Sequence, residues 1–142
     1  MITKQVSVFL ENKTGRLNEV AQILGEAEIN ISAFTVADTS DFGVLRLIVS
    51  TPDKAVEVLK KHSFSVRTTD VVLVNSLNKP GALSRLLKIL HSEKVFIEYL
   101  YAFSMNENNA VFVIRPTDVQ FCMDKLNQHK DELISNDEHY KI

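Results

Sequence analysis

One segment of the sequence occurs twice, and this repeat constrains the fold more than any other feature. Residues 12–17 read Asn-Lys-Thr-Gly-Arg-Leu, and 66 positions further on residues 78–83 read Asn-Lys-Pro-Gly-Ala-Leu. When residues 6–49 are aligned with 72–115 without a gap, ten positions are identical, whereas average residue usage gives about three. The repeat therefore predicts a chain built from two similar modules.

The first module contains four strand-like runs and two helix-like runs. Apolar and polar residues alternate in the strand-like runs, whereas apolar residues three and four positions apart mark the helices. In chain order the predicted elements are strand 6–11, helix 17–27, strand 29–37, strand 44–49, helix 52–61 and strand 64–68. Thr14 is the predicted N-cap of the first helix, because its hydroxyl can accept a backbone hydrogen bond.

The second module repeats this order. Its predicted elements are strand 71–77, helix 83–90, strand 95–103, strand 110–115, helix 118–129 and a weakly strand-like tail from Glu132. The order β-α-β-β-α-β is that of a ferredoxin-like module, which places both helices on one face of an antiparallel sheet. We therefore predict an α+β fold of two such modules, residues 1–69 and 70–142, with a joint too short for independent motion.

Composition and charge disfavour several classes of protein. Of the 142 residues, 45% are hydrophobic and 24% are charged, which is typical of a soluble globular protein. The net charge of −2, without a basic stripe, disfavours nucleic-acid binding, because phosphate neutralisation dominates that affinity. No apolar run approaches the roughly 20 residues of a membrane helix, and Glu11 and Lys13 interrupt any signal sequence. We therefore expect a cytoplasmic protein without a membrane partner.

The residues that commonly bind metals or carry catalysis show no functional spacing. Cys122 is the single cysteine, so no intramolecular disulfide can form, and its apolar neighbours at helical spacing predict an inert buried thiol. The four histidines are His62, His91, His129 and His139. They have no metal-ligand spacing with one another or with the cysteine. We therefore expect no metal, no cofactor and no catalytic residues.

The repeated loop has the chemistry to bind a small anion. A strand, a glycine turn and a helix present free backbone N–H groups at the positive end of the helix dipole, where a carboxylate or phosphate can bind. Gly15 and Gly81 keep a Cβ away from such a ligand. The side chains of Asn12 and Asn78 can donate and accept, which suits an ammonium beside a carboxylate. The alternative is that these residues only form and cap the turn.

In this context the loop resembles that of a known family, the ACT domain. Residues 78–83 carry its Asn-x-Pro-Gly-x-Leu motif between the first strand and the first helix, and residues 12–17 carry a variant. Residues 28–31, Glu-Ile-Asn-Ile, resemble the start of the family's second strand. The whole chain is similar to a free-standing tandem ACT protein without an attached enzyme. The resemblance implies a regulatory protein that binds a small ligand, usually an amino acid, with modules paired side by side into an eight-stranded sheet.

The resemblance assigns ligand binding to two loops and two strands. The residues are Asn12, Lys13, Thr14, Gly15, Arg16 and Leu17 in the first loop; Asn78, Lys79, Pro80, Gly81, Ala82 and Leu83 in the second loop; and Asn30, Ile31, Phe96, Ile97, Glu98 and Tyr99 in the second strands. The copies depart from the family pattern at two positions. Thr14 replaces the loop proline in the first copy, and Phe96 replaces the second-strand asparagine in the second.

These departures predict two unequal sites, each combining the loop of one module with the second strand of the other. The site of residues 78–83 and 30–33 keeps both asparagines, so we expect it to be the better amino-acid site. The site of residues 12–17 and 96–99 has an aromatic and acidic wall. Glu98, Asp38 and Asp41 would favour a ligand side chain that donates hydrogen bonds, such as histidine.

A sensor of this kind acts through a partner, and we expect a homodimer and an unidentified regulated enzyme. Three other interpretations remain open. An oligomerisation module without a ligand would use Tyr99 and Tyr101 as interface residues. A small acylphosphatase-like hydrolase needs an arginine cradle, and Arg16 has Ala82 as its counterpart in the second copy. An RNA-recognition module needs exposed aromatic residues and a basic surround, which the charge balance opposes.

Overall fold

The computed structural model describes residues 1–11, 14–38 and 41–133 of the chain. These residues form an α+β fold with six antiparallel strands and five helices. In chain order the elements are β1 (Ile2–Glu11), α1 (Arg16–Glu26), β2 (Ile31–Asp38), β3 (Phe42–Val49), α2 (Pro52–Lys61), β4 (Ser65–Leu77), α3 (Ala82–Ser92), β5 (Ile97–Ser104), β6 (Asn109–Pro116), α4 (Val119–Gln128) and α5 (Lys130–Leu133). The predicted class and the repeated ferredoxin-like order are confirmed.

The first compact unit spans Lys4–Thr69 and has the strand order β2-β3-β1-β4. Val6 of β1 and Phe34 of β2 both lie opposite Leu47 of β3, so the three side chains point to the same face of the sheet. Leu24 of α1 and Leu59 of α2 are fully buried in a core that includes Val6 and Leu47. Both helices therefore cover one face, as the apolar spacing predicted.

The second compact unit joins Met1–Thr3 to the described residues that follow Thr69, in the order β1-β4-β6-β5. The backbone N–H of Leu73 donates to the carbonyl oxygen of Met1 at 2.8 Å, and the amino group of Met1 donates to the carbonyl oxygen of Leu73 at 3.1 Å. The start of the chain thus lies beside β4, where a ferredoxin-like order has its fourth strand. The predicted tail strand is wrong at Glu132, which lies in α5, and residues 134–142 lie outside the described residues.

The fourth strand of the first module and the first strand of the second are one continuous strand, β4. The predicted boundary between the modules falls at residues 69–70, but residues 65–77 contain neither glycine nor proline, so no residue in them breaks an extended chain. Residues 71–74 of this strand are all buried, and Val72 and Val74 belong to the second core. The side-by-side pairing of modules into eight strands stays a prediction.

Candidate functional site

The two copies of the repeated loop end in the same backbone conformation. Gly15 caps α1 with φ 89° and ψ −6°, and Gly81 caps α3 with φ 90° and ψ −10°. A residue with a Cβ is strained in this left-handed region, so glycine is favoured for the turn itself. A Cβ built on either glycine would have no heavy atom within 4 Å outside the neighbouring residues. The space beside both loops is therefore open.

Among the described residues, the N-cap glycines of these two helices provide no side-chain cap hydrogen bond. The predicted cap Thr14 is wrong, because the cap position belongs to Gly15, one residue later. Helix α4, in contrast, has a side-chain cap, because the carboxylate of its N-cap Asp118 accepts from the backbone N–H of Phe121 at 2.9 Å. A first turn without a side-chain cap offers backbone N–H groups and the positive end of the dipole to an anion. In α3 the N–H of Ala82 already donates to the carbonyl oxygen of Lys79 at 3.2 Å, so the next N–H groups of that turn are the candidate donors for a carboxylate.

The second loop is anchored to the turn between β5 and β6. The backbone N–H of Asn78 donates to the carbonyl oxygen of Asn108 at 2.7 Å, and its Nδ2 donates to Ser104 Oγ at 3.2 Å. The turn is itself held by Asn106, whose Oδ1 accepts from the backbone N–H groups of Asn108 and Asn109, each at 2.9 Å. Asn78 therefore holds the second loop in place. This structural role was the alternative to ligand binding when the loop was read from the sequence.

The remaining residues of the second loop lie at the surface, with one exception. Lys79, Pro80 and Gly81 are exposed, and Leu83 keeps 43% of its surface accessible. Ala82 is buried and packs inward at the start of α3. An exposed leucine beside uncapped N–H groups gives this surface both apolar and polar character, as a ligand site has.

The first loop differs because its arginine already has partners. The guanidinium of Arg16 lies 3.1 Å from Glu19 and 3.8 Å from Glu11, and its Cζ lies 5.5 Å from the centre of the Phe64 ring. These contacts tie α1 to the ends of β1 and β4 and occupy the cation. This arrangement argues against the phosphate cradle of a hydrolase. Gly15 and Leu17 are exposed, whereas Asn12 and Lys13 lie outside the described residues.

Both second strands start with an irregularity at equivalent positions. The register of β2 shifts between Ile31 and Ala33, and that of β5 shifts between Ile97 and Tyr99. Such bulges re-aim side chains and occur near functional sites. The sequence analysis did not find them, because a bulge depends on the partner strand and leaves no composition signal in its own strand.

The residues beside these bulges are not alike. Asn30 is exposed, and its backbone N–H donates to Ser50 Oγ at 3.1 Å. Phe96 is 73% exposed, although its carbonyl oxygen accepts from the backbone N–H of Thr117 at 3.0 Å. Ile31 and Ile97 are half-buried, each against the core of its own unit. Asn30 and Phe96 therefore both lie at the surface, and the inequality of the two sites stays a prediction.

The acidic groups predicted to select a ligand are placed as follows. Glu98 accepts from Arg115 Nε at 3.2 Å, so its charge already has a partner, and Arg115 also donates to the carbonyl oxygen of Asp70 at 2.8 Å. Tyr99, opposite Arg115 in the register, is half-buried. Asp41 is exposed, and the side chain of Asp38 lies outside the described part of the chain. Arg115 is a charged residue of this surface that the sequence analysis missed.

Other chemistry receives little support from the described residues. Cys122 is buried as predicted, and burial raises the pKa of its thiol to about 11, so the reactive thiolate is scarce at neutral pH. Among residues 1–11, 14–38 and 41–133, no group of three or more His, Cys, Asp or Glu side chains could hold a metal ion. No helix in these ranges is long and apolar enough to cross a bilayer.

Comparison with known proteins gives a consistent result. A family model described as an ACT domain pair matches residues 1–142. The crystal structure of a protein from Bacteroides thetaiotaomicron is 50% identical, covers 92% of this chain and 90% of that one, and has a TM-score of 0.87. No curated protein matches the sequence.

More distant structures share the fold. The regulatory subunit of aspartate kinase from Thermus thermophilus, in its ligand-free form, is 13% identical with a TM-score of 0.65 and covers 90% of this chain and 96% of that one. The regulatory subunit of aspartate kinase from Thermus flavus is 14% identical with a TM-score of 0.62, and the match covers 90% of this chain and 94% of that one.

Proposed function

Because this chain belongs to the family of ACT domain pairs, we propose that it is a regulatory protein that binds a small ligand, an amino acid, at its glycine loops. The observation that carries the proposal is the pair of uncapped helices that start from left-handed Gly15 and Gly81. A carboxylate would accept from the first-turn N–H groups, and neighbouring side chains would receive the ammonium.

The second loop is the better candidate for the carboxylate. Its Asn78 is fixed by Asn108 and Ser104, so less entropy is lost when a ligand binds. Hydrogen bonds to a charged group contribute about 1.5–3 kcal/mol each. Three or four of them, less the cost of immobilising the ligand, give an affinity of about micromolar to millimolar.

A thermal-shift screen of the twenty amino acids tests this function. A ligand that binds only the folded state raises the free energy of unfolding by mass action. Once the site is saturated, each tenfold increase in ligand concentration adds about 1.4 kcal/mol. We expect one amino acid, or a few related ones, to raise the Tm. A flat screen on protein whose folding is verified by circular dichroism would refute the proposal.

Two variants test the predicted pairing of the second loop with the second strand that contains Asn30. Gly81→Val strains the left-handed turn, and Asn30→Ala removes an exposed amide, so calorimetry should show loss of binding in both. Gly25→Ala is the matched control, because Gly25 lies in α1 with open space around it and without a positive φ. Unchanged affinity in both variants would sink the assignment, and loss at Tyr99→Ala instead would favour the other pairing.

The proposed setting is a cytoplasmic homodimer that regulates an enzyme. The single free thiol suits a reducing compartment. Phe34 and Phe96 are 63% and 73% exposed, so each is available to a protein partner, as the oligomerisation interpretation also requires. Analytical ultracentrifugation with and without the amino acid separates the two. Under our proposal the ligand shifts assembly or partner binding by about 1–3 kcal/mol, whereas a pure oligomerisation module ignores it.

A further inference from the structure

His129 connects three helices of the second unit through both of its ring nitrogens. Nε2 lies 2.8 Å from Glu93 Oε1, at the C-terminal end of α3, and Nδ1 lies 2.9 Å from Glu132 Oε1, in α5. The histidine itself is the C-cap of α4, and its side chain is 22% exposed. One partly buried imidazole therefore bridges two carboxylates that belong to different helices.

This geometry is that of a charged imidazolium. A neutral imidazole has one N–H, so it donates to one carboxylate and turns a lone pair toward the other. The protonated ring donates to both, and its charge also suits the negative end of the α4 dipole. Consistent with this, Glu93 and then Glu132 raise the pKa of His129, whereas His129 and then Lys125 lower the pKa of Glu93.

The segment held by this bridge makes few contacts among the described residues. Helix α5 is described for the four residues Lys130–Leu133, of which Leu133 is the buried one. Within the described part of the chain its contacts are the side chain of Leu133 in the second core, a bond from the Glu132 N–H to the His129 carbonyl oxygen at 3.0 Å, and the bond between Glu132 and the imidazole.

We propose that His129 is a proton-controlled latch that holds α5 against the end of α3 when the imidazole is charged and releases α5 when the proton is lost. The charged groups that face the ring in the described part of the chain are Glu93 from α3, Glu132 from α5 and, through Glu93, Lys125 from α4. Lys125 lies 3.3 Å from Glu93, so an ion pair between α3 and α4 persists after deprotonation. Opening is therefore confined to α5.

The direction of the pH dependence follows from the raised pKa. The latch is fully closed below the ordinary histidine pKa of 6.5 and opens as the pH rises through the higher pKa of the folded protein. On the acid side the bond between the ring and Glu93 persists until the pH falls through the lowered pKa of Glu93. Each pH unit by which the His129 midpoint exceeds that of released histidine corresponds to about a tenfold change in the closing equilibrium.

Amide hydrogen exchange with a histidine NMR titration tests the latch on the full chain. Protection factors of the Glu132 and Leu133 amides, corrected for the intrinsic rate at each pH, should fall as the pH rises through the raised pKa of His129, above 6.5. The fall in protection should be centred at the midpoint pH of the His129 ring signals. The size of the fall should correspond to the difference between that midpoint and the midpoint of a released histidine. A His129 midpoint at or below 6.5, or protection that does not change, would overturn the proposal.

Two variants and a matched control separate a latch from a merely structural contact. His129→Gln keeps a hydrogen-bond donor but cannot titrate, so the protection of α5 should become independent of pH. Glu132→Gln should lower the titration midpoint of His129, while the ion pair between Lys125 and Glu93 remains. His62→Gln is the control. His62 is the C-cap of α2, as His129 is the C-cap of α4, but its Nδ1 lies 2.8 Å from the Val58 carbonyl oxygen and not near a carboxylate. If α5 in His129→Gln keeps the wild-type pH dependence, the latch does not exist.

Discussion

The glycine that starts α3 gives the sharpest test of how the repeated loop is built. Gly81 has φ 90°, and a Cβ placed there would meet no heavy atom within 4 Å. The cost of Gly81→Ala is therefore the backbone strain alone, without a steric clash. A left-handed conformation costs a non-glycine residue about 1–2 kcal/mol, and we expect the free energy of unfolding to fall by that amount.

The chain contains both a replicate and a control for this substitution. Gly15→Ala should cost the same, because Gly15 has φ 89° and equally open surroundings. Gly25→Ala also adds a methyl group in open space, but at a helical position without a positive φ, where replacing glycine stabilises a helix by about 0.5–1 kcal/mol. The two classes of variant should therefore differ in sign.

Urea unfolding followed by far-UV circular dichroism measures these differences, since the chain contains no tryptophan. A change of 1 kcal/mol shifts the Tm by about 2–4 °C in a protein of this size, so thermal melts give a second estimate. If Gly81→Ala and Gly25→Ala change the free energy of unfolding in the same direction, the backbone conformation is not the reason for the loop glycine.

Three further substitutions or reactions test other parts of the structure. Leu90→Ala, which truncates a side chain in the second core, should lower the free energy of unfolding by about 2–5 kcal/mol in urea melts. Asn106→Ala removes the acceptor for two backbone N–H groups, so the amide of Asn78 should exchange faster while the first unit is unaffected. The thiol of Cys122 should react with a disulfide reagent only as fast as the protein opens, because it is buried and its pKa is raised to about 11.

Each of these three predictions would be contradicted by a specific result. A loss below about 1 kcal/mol for Leu90→Ala would mean that the core repacks around the cavity. Unchanged exchange at Asn78 would mean that the turn does not position the loop. Thiol modification at the rate of a free cysteine under native conditions would show that Cys122 is accessible.

The sequence predicted most of the elements because their signals are local. Residues 52–61 and the helix of α2 coincide, since Pro52 fits a first helical turn and apolar spacing defines the rest. The repeat predicted two similar modules, and their loop glycines Gly15 and Gly81 differ by only one degree in φ. The burial of Cys122 followed from its apolar neighbours at helical spacing.

The missed features all depend on contacts between residues far apart in the chain. Arg16 was considered for a phosphate cradle, but Glu11 and Phe64 engage it. The bulges in β2 and β5 arise from pairing with β3 and β6. The bond from Asn78 to Ser104 crosses 26 positions, and no short pattern records it.

The sequence by itself determined that the chain has two modules, their element order and the glycine turns, because periodicity, propensity and a positive φ act over a few residues. Only the tertiary structure decided that β4 runs unbroken through residues 65–77, that Met1 pairs with Leu73, and that His129 stands between two carboxylates. These features come from hydrogen bonds and burial between distant segments. Their free energy depends on which groups the fold brings together, and no local pattern encodes that.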